Sequence, residues 1–264
     1  MCSPRLRPNL LLAIDIGNTN LVFALFEGAV VKAQWRIRTD PHRSADEYAV
    51  WLFALMARAG VKETDIAAVI MASVVPDANF GVKTFVRQYL KRDPRLITTG
   101  EVDVGMPILL DNPRELGADR LINAFAAWSE HQKPLIVIDF GTATTFDVVS
   151  AKGEYLGGVI APGINLSLEA LQRAAAKLHG IAITHPEMVI GKNTTNAMQS
   201  GIFYGYAGLI EGIVSRIKAE RGEEMVVIAT GGLAPLYAEA TSSINRVDTD
   251  LTIRGLRLIH ERNS

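Results

Sequence analysis

The chain has 264 residues, enough for one large domain or two of ordinary size, and its hydrophobic share of 48% is ample for a buried core. Its 27 basic and 28 acidic residues nearly cancel, so charge gives no reason to expect binding to long nucleic acid or to an anionic membrane. The only cysteine, Cys2, excludes intrachain disulfides and a cysteine-based metal site, which fits a reducing cytoplasm.

Residues 1–7 carry two arginines, and the apolar run at 10–14 stops at Asp15. That run is too short for the apolar region of a signal peptide and far too short to span a bilayer, so a cytoplasmic protein is expected. Residues 10–14, 21–26 and 30–37 read as three short strands joined by tight turns. Ser44 and Glu47 form a capping-box pattern ahead of a helix through Ala59, with Tyr48, Leu52, Leu55 and Met56 at helical spacing and Gly60 at its end. A buried-looking strand at 66–72, a helix at 79–90, and a short strand near 96–98 follow.

The second half repeats this order. Strands are expected at 135–138, 144–149 and 155–160, then helices at 165–177 and 194–218. A buried strand at 225–229 leads into Gly231-Gly232, which is expected to open a helix, and a strand at 244–247 precedes a last helix at 251–262. The pattern predicts two α/β units with the same opening, divided near the helix at 116–128, as residues 1–118 and 119–264. The helix containing Gly201, Gly205 and Gly208 is unusually rich in a residue that costs a helix about 1 kcal/mol relative to alanine. Close packing within the chain or a subunit interface would each explain it.

The openings of both halves carry the chemistry. Ala13-Ile14-Asp15-Ile16-Gly17-Asn18-Thr19-Asn20 and Val137-Ile138-Asp139-Phe140-Gly141-Thr142-Ala143-Thr144-Thr145 each end an apolar run in Asp-x-Gly followed by small hydroxyl or amide residues. A strand ending in a tight glycine turn offers backbone N–H groups to phosphate oxygens. A lone turn of this kind is often an ordinary hairpin. Two copies at equivalent places suggest a nucleotide polyphosphate held between two domains, and hence phosphoryl transfer.

Asp15 and Asp139 end buried strands, where a carboxylate needs a cation or several donors; a turn-capping aspartate is the plainer alternative. Asp119, in Gly117-Ala118-Asp119-Arg120, is the candidate general base, although an acid near a helix N-terminus is favourable in itself. Arg120 beside it is a natural clamp for a carboxylate or phosphate. Thr230-Gly231-Gly232-Leu233 could let a flat base or ribose lie against the backbone, or be a plain strand-to-helix turn. Gly191-Lys192-Asn193-Thr194 looks like the end of a P-loop, but Pro186 stands where the first glycine belongs. The five histidines show no metal-ligand spacing.

These motifs resemble those of the acetate kinase, sugar kinase, Hsp70 and actin superfamily, and more narrowly those of the type III pantothenate kinases. The resemblance runs through Asp15 to Asn20, Asp111-Asn112-Pro113-Arg114-Glu115 with Gly117 to Arg120, Asp139 to Thr145, Tyr155-Leu156-Gly157-Gly158 and Ala161-Pro162-Gly163. It continues in Gly191 to Thr194, Ala197-Met198-Gln199-Ser200-Gly201 and Ala229-Thr230-Gly231-Gly232-Leu233, spanning nearly the whole chain.

The resemblance implies two tandem ribonuclease-H-like domains with a nucleotide cleft between them. It implies ATP-dependent phosphorylation of pantothenate, the first step toward coenzyme A. It assigns ATP to Asp15, Ile16, Gly17, Asn18, Thr19, Asn20, Leu21, Val22 and Thr142, with Gly231 and Gly232 as further nucleotide contacts. It assigns pantothenate to Gly117, Ala118, Asp119, Arg120 and Thr194, and the general base to Asp119. Asp139 would hold a monovalent cation, potassium or ammonium, with magnesium accompanying ATP. The family is dimeric; nucleic acid and membrane are not expected as partners. The family commonly has tyrosine before the Asp-Asn-Pro turn, where this chain has Leu110, so one contact to substrate changes. Some relatives are described as accessory transcription factors, which makes a non-catalytic nucleotide-binding regulator the alternative. The presence of Asp15, Asp119 and Asp139 together argues against it.

Overall fold

A computed structural model describes residues 9–98, 102–174 and 181–264. Cys2, the two arginines of residues 1–7 and the end of the helix expected at 165–177 lie outside the described residues. The chain forms two compact units, one of Met1–Gly105, Asn112–Ala126 and Thr252–Ser264, the other of Met106–Asp111 and Ala127–Leu251. These units are discontinuous in sequence, unlike the single cut at 118/119 that the order of the repeats suggests.

In the first unit, β1 (Leu10–Ile16), β2 (Asn20–Glu27), β3 (Val30–Arg38), β4 (Ile66–Ser73) and β5 (Arg95–Leu96) form one sheet in the order β3-β2-β1-β4-β5. The hairpins β1–β2 and β2–β3 are antiparallel, while β4 runs parallel to β1. The central strand β1 is covered on both faces, hence its nearly unbroken Leu-Leu-Leu-Ala-Ile run. Edge strand β3 alternates instead, with Trp35 and Ile37 against the core and Lys32, Gln34, Arg36 and Arg38 outward, which discourages edge pairing with another chain.

Helix α1 (Ala45–Arg58) carries the expected capping box. The Glu47 N–H donates to Ser44 Oγ at 3.3 Å, and the Ser44 N–H donates to Glu47 Oε2 at 2.8 Å. Tyr48, Leu52 and Met56 of α1 bury against Ile14, Ile16, Phe23 and Phe85. The helix expected at 79–90 is α2 (Asn79–Phe85) followed by one π-helical turn, Val86–Leu90, stopped by Lys91 at φ 55°. The wider turn lets Phe85, Val86 and Leu90 all reach the core.

Helix α3 (Ala118–His131) contributes its first residues to the first unit. In the second unit, β6 (Leu135–Phe140), β7 (Ala143–Val149) and β8 (Tyr155–Pro162) make an antiparallel meander followed by α4 (Ile164–Ala174) and α5 (Thr194–Arg221). Then come β9 (Val226–Gly231), α6 (Ala234–Ala238) and the two-residue β10 (Arg246–Val247). The sheet order β10-β9-β6-β7-β8, with β9 parallel to β6, repeats the topology of the first sheet. The α/β duplication is therefore present in the strand pairing itself.

Phe203, Tyr206, Ile210 and Val214 of α5 pack on Ile136, Ile138, Phe146 and Val227. A Cβ placed on Gly201, Gly205 or Gly208 would meet nothing within 4 Å, so among the described residues close packing within the chain is not the reason for these glycines. The helix opened by Gly231-Gly232 is only the five-residue α6.

The last helix, α7 (Leu251–Arg262), belongs to the first unit except for its first residue. Thr252 Oγ1 donates to Asn123 Oδ1 at 2.7 Å, and a Cβ on Gly255 would stand 2.5 Å from Ile122 Cγ2. No helix among the described residues is long and apolar enough to cross a membrane.

Candidate active site

The first turn follows from β1 ending where β2 begins. Ile16 pairs with Leu21, and the Gly17 N–H closes the turn onto the Asn20 carbonyl at 3.0 Å. Asn18 and Thr19 are exposed, and Asp15 is half-buried within β1, paired to Val22 and Ala72. The side chains of Ile16 and Leu21 lie in the core. Of the stretch from Asp15 to Val22, these two can therefore offer a ligand only their main chain.

In the same unit, Gly117 to Arg120 opens α3 after a short turn at Pro113–Glu115, capped by Asn112 Oδ1 accepting from the Arg114 N–H at 3.3 Å. The Arg120 N–H donates to Asp119 Oδ1 at 2.8 Å. Burial pushes the Asp119 carboxyl above the usual carboxylate range; that hydrogen bond and the Arg120 charge oppose the shift without cancelling it. A carboxylate so raised is a better proton acceptor than an ordinary aspartate.

In the second unit, the Gly141 N–H donates to the Ala143 carbonyl and the Gly163 N–H to the Thr142 carbonyl, each at 3.1 Å. Gly141 and Thr142 are exposed. Thr144 is buried in the core instead, and Thr145 Oγ1 donates to Asp147 Oδ2 at 3.2 Å, so these two hydroxyls are turned from the loop surface. Tyr206 of α5 donates to the Pro162 carbonyl at 2.9 Å and shares a hydrogen bond with Ser167, which ties the segment abutting Thr142 to the long helix.

The structure brings Asp139, Gly141 and Gly231 together. Phe140 pairs with Gly231, and a Cβ on Gly231 (φ +89°) would stand 2.6 Å from the Phe140 carbonyl oxygen and 2.8 Å from Asp139 Oδ1. The Gly231 main chain therefore packs directly against the Phe140 carbonyl and the Asp139 carboxylate, a fit that only glycine allows. Gly232 is exposed beside it. Thr194 is exposed in the first turn of α5, whose cap is Asn193 Oδ1 accepting from the Asn196 N–H at 2.8 Å. Among the described residues, no three His, Cys, Asp or Glu side chains gather into a metal cluster.

Leu110 is half-buried and faces Gly157 of β8, whose Cβ position is 3.6 Å from Leu110 Cδ2. The strand-like segment around Leu110 is held by Tyr155, whose N–H donates to Pro107 and whose carbonyl accepts from Leu109, each at 2.8 Å. Tyr155 Oη donates to the fully buried Asp147 at 2.6 Å. Sequence reasoning missed this anchor; its signal is an aspartate placed among the apolar residues of a buried strand.

The folding pattern has counterparts among solved structures. A protein named for the Baf family of transcriptional activators, from Campylobacter jejuni, superposes with a TM-score of 0.60 at 19% identity, covering 96% of this chain and 98% of that one. One named for 2-dehydro-3-deoxygalactonokinase, from Sinorhizobium meliloti, gives 0.61 at 14% identity, covering 96% of each chain. The likeness is one of fold, two tandem ribonuclease-H-like α/β units.

A narrower assignment comes from sequence. The family model described as type III pantothenate kinase matches residues 11–216. A protein of that name from Paramagnetospirillum magneticum is 60% identical over 255 residues, 97% of this chain and 98% of its own. The chain belongs to the type III pantothenate kinase family.

Proposed function

We propose that the protein transfers the γ-phosphoryl group of ATP to the hydroxyl of pantothenate, giving phosphopantothenate and ADP at the start of coenzyme A synthesis. The observation that carries this is the family match over residues 11–216, reinforced by near full-length identity of 60% to a protein named type III pantothenate kinase.

Asp119 takes the proton of the pantothenate hydroxyl as its oxygen attacks the γ-phosphorus. The bond from that phosphorus to the β-phosphate oxygen breaks, and ADP leaves with the electron pair. Its raised proton affinity suits this role. Gly117, Ala118, Arg120 and Thr194 bind pantothenate, with Leu110 as an apolar wall. The turn from Asp15 to Val22 and Thr142 bind the triphosphate through main-chain N–H groups and hydroxyls, while Gly231 and Gly232 contact the nucleoside. Asp139 would hold a potassium or ammonium ion, which would offset phosphate charge, and magnesium would accompany ATP.

The open glycine face of Gly201, Gly205 and Gly208 supports a homodimer through α5. The balanced charge supports work without nucleic acid or membrane as partner, and the single cysteine fits the reducing cytoplasm. ADP release on adding pantothenate to protein and ATP tests the reaction. The expected result is pantothenate-dependent turnover that Asp119→Asn lowers sharply; equal ADP release with and without pantothenate would refute it.

A further inference from the structure

A turn that holds phosphates must keep its carbonyl oxygens pointed elsewhere, because a phosphate oxygen only accepts hydrogen bonds and is repelled by another acceptor. In the first turn this is done from outside the motif. Thr39, the residue after β3, donates its Oγ1–H to the Gly17 carbonyl at 2.6 Å and its N–H to the Thr19 carbonyl at 3.0 Å. The Val74 N–H takes the Ile16 carbonyl at 3.0 Å, and the Gly17 N–H takes that of Asn20. The carbonyls of Ile16, Gly17, Thr19 and Asn20 are all engaged by the unit itself.

The second repeat shows what is general and what is special. Gly163 also directly follows the third strand of its meander, and its N–H likewise takes the carbonyl of the turn residue Thr142. A Cβ there would collide with the Thr142 carbonyl, so no side chain can add a second bond. The first turn is one residue longer, since Ile16 pairs with Leu21 whereas Phe140 pairs with Thr144. The longer turn has one more carbonyl to direct inward, and the Thr39 hydroxyl supplies the extra donor.

We infer that Thr39 is a positioning residue for ATP: its hydroxyl turns the Gly17 carbonyl away from the phosphates without touching them. This rests on the reading of the first turn as a phosphate turn. The test compares Thr39→Val, which keeps shape and N–H but loses the hydroxyl, with Thr39→Ser, which keeps the hydroxyl, and with Thr19→Ala, which removes the exposed hydroxyl of the turn itself.

Thr39→Val is expected to raise KM for ATP about fivefold to tenfold, the worth of one hydrogen bond, with KM for pantothenate changed less than about twofold. Thr39→Ser is expected to restore KM for ATP. An unchanged KM for ATP in Thr39→Val overturns the inference, as does an equal rise in both KM values that Thr39→Ser fails to rescue, which marks a purely structural residue. If Thr19→Ala also leaves KM for ATP unchanged, the phosphate reading of the turn falls too; if Thr19→Ala alone raises it, only the role of Thr39 falls.

Discussion

A methyl group on Gly117 would stand 2.6 Å from Oδ1 of Asp119, so the carboxylate occupies space that only glycine leaves open. That oxygen is also the one held by the Arg120 N–H. Gly117→Ala is therefore expected to push the base off its position. Displacements of about 1 Å at a reacting group cost up to roughly a hundredfold, so kcat is expected to fall about tenfold to a hundredfold with KM for ATP little changed. Steady-state kinetics of the folded variant checks this; wild-type kcat would show that the carboxylate need not sit there.

Asp119 also links activity to pH and stability. As a base it works only ionised, and its proton affinity is raised by burial. Turnover is expected to fall with decreasing pH through a midpoint above the ordinary carboxylate range. Asp119→Asn is expected to lose about a hundredfold to ten-thousandfold in kcat.

The stability effect has the opposite sense. Because the folded proton affinity exceeds the unfolded one, the stability this group contributes is present below its unfolded pKa and lost as pH rises through the folded one. At neutral pH the buried charge is a cost. Asp119→Asn should melt higher than wild type at neutral pH, with the gap closing toward acid. Thermal unfolding across pH reads this directly; a lower melting temperature at neutral pH contradicts it.

The cation reading makes Asp139 and Gly231 act together. Asp139→Ala removes the carboxylate, and Gly231→Ala would press a methyl to within 2.8 Å of Asp139 Oδ1 and displace it. Each is expected to raise the potassium concentration for half-maximal activity by about tenfold or more, the size of effect when a charged partner is lost. Titration of activity with potassium chloride at constant ionic strength checks it. Identical potassium curves in wild type and Asp139→Ala would remove the ion from that carboxylate.

Leu110 stands where the family commonly has tyrosine. Leu110→Tyr offers the substrate a hydroxyl worth about 1 kcal/mol, so KM for pantothenate is expected to fall about fivefold while KM for ATP holds. A rise instead would mean that the ring is too large beside Gly157.

Tyr155 and Asp147 form a buried hydrogen bond of 2.6 Å. Tyr155→Phe keeps the ring and its main-chain ties to 107–109. It is expected to cost about 1.5–3 kcal/mol, read as a lower denaturant midpoint with unchanged slope.

The parts of the fold legible in the sequence are those set locally. Ser44 and Glu47 announce α1 because both halves of the capping box lie within one turn. The two meanders are legible because Asp-x-Gly interrupts each apolar run. The short strands β5 and β10 are legible near 96–98 and at 244–247, though packing trims each to two residues, whereas the π turn at Val86–Leu90 depends on packing that no local pattern encodes. Helix α7 is legible at 251–262, but its place in the first unit, through Thr252 with Asn123 and Gly255 with Ile122, is not.

At the site, the motifs mark which turns matter but not which atoms face outward. Ile16, Leu21 and Thr144 sit inside motif stretches yet point into the core. Thr39 acts on Gly17 from 22 residues away and belongs to no motif, so only the folded chain reveals it.

The most direct test is mass spectrometry of the products from purified protein, ATP, magnesium and pantothenate, with and without potassium. The account predicts phosphopantothenate and ADP in equal amounts, with formation dependent on the monovalent cation. Measurable ATP binding with no phosphorylated pantothenate under either condition would contradict it, and would favour a regulator that keeps a nucleotide site.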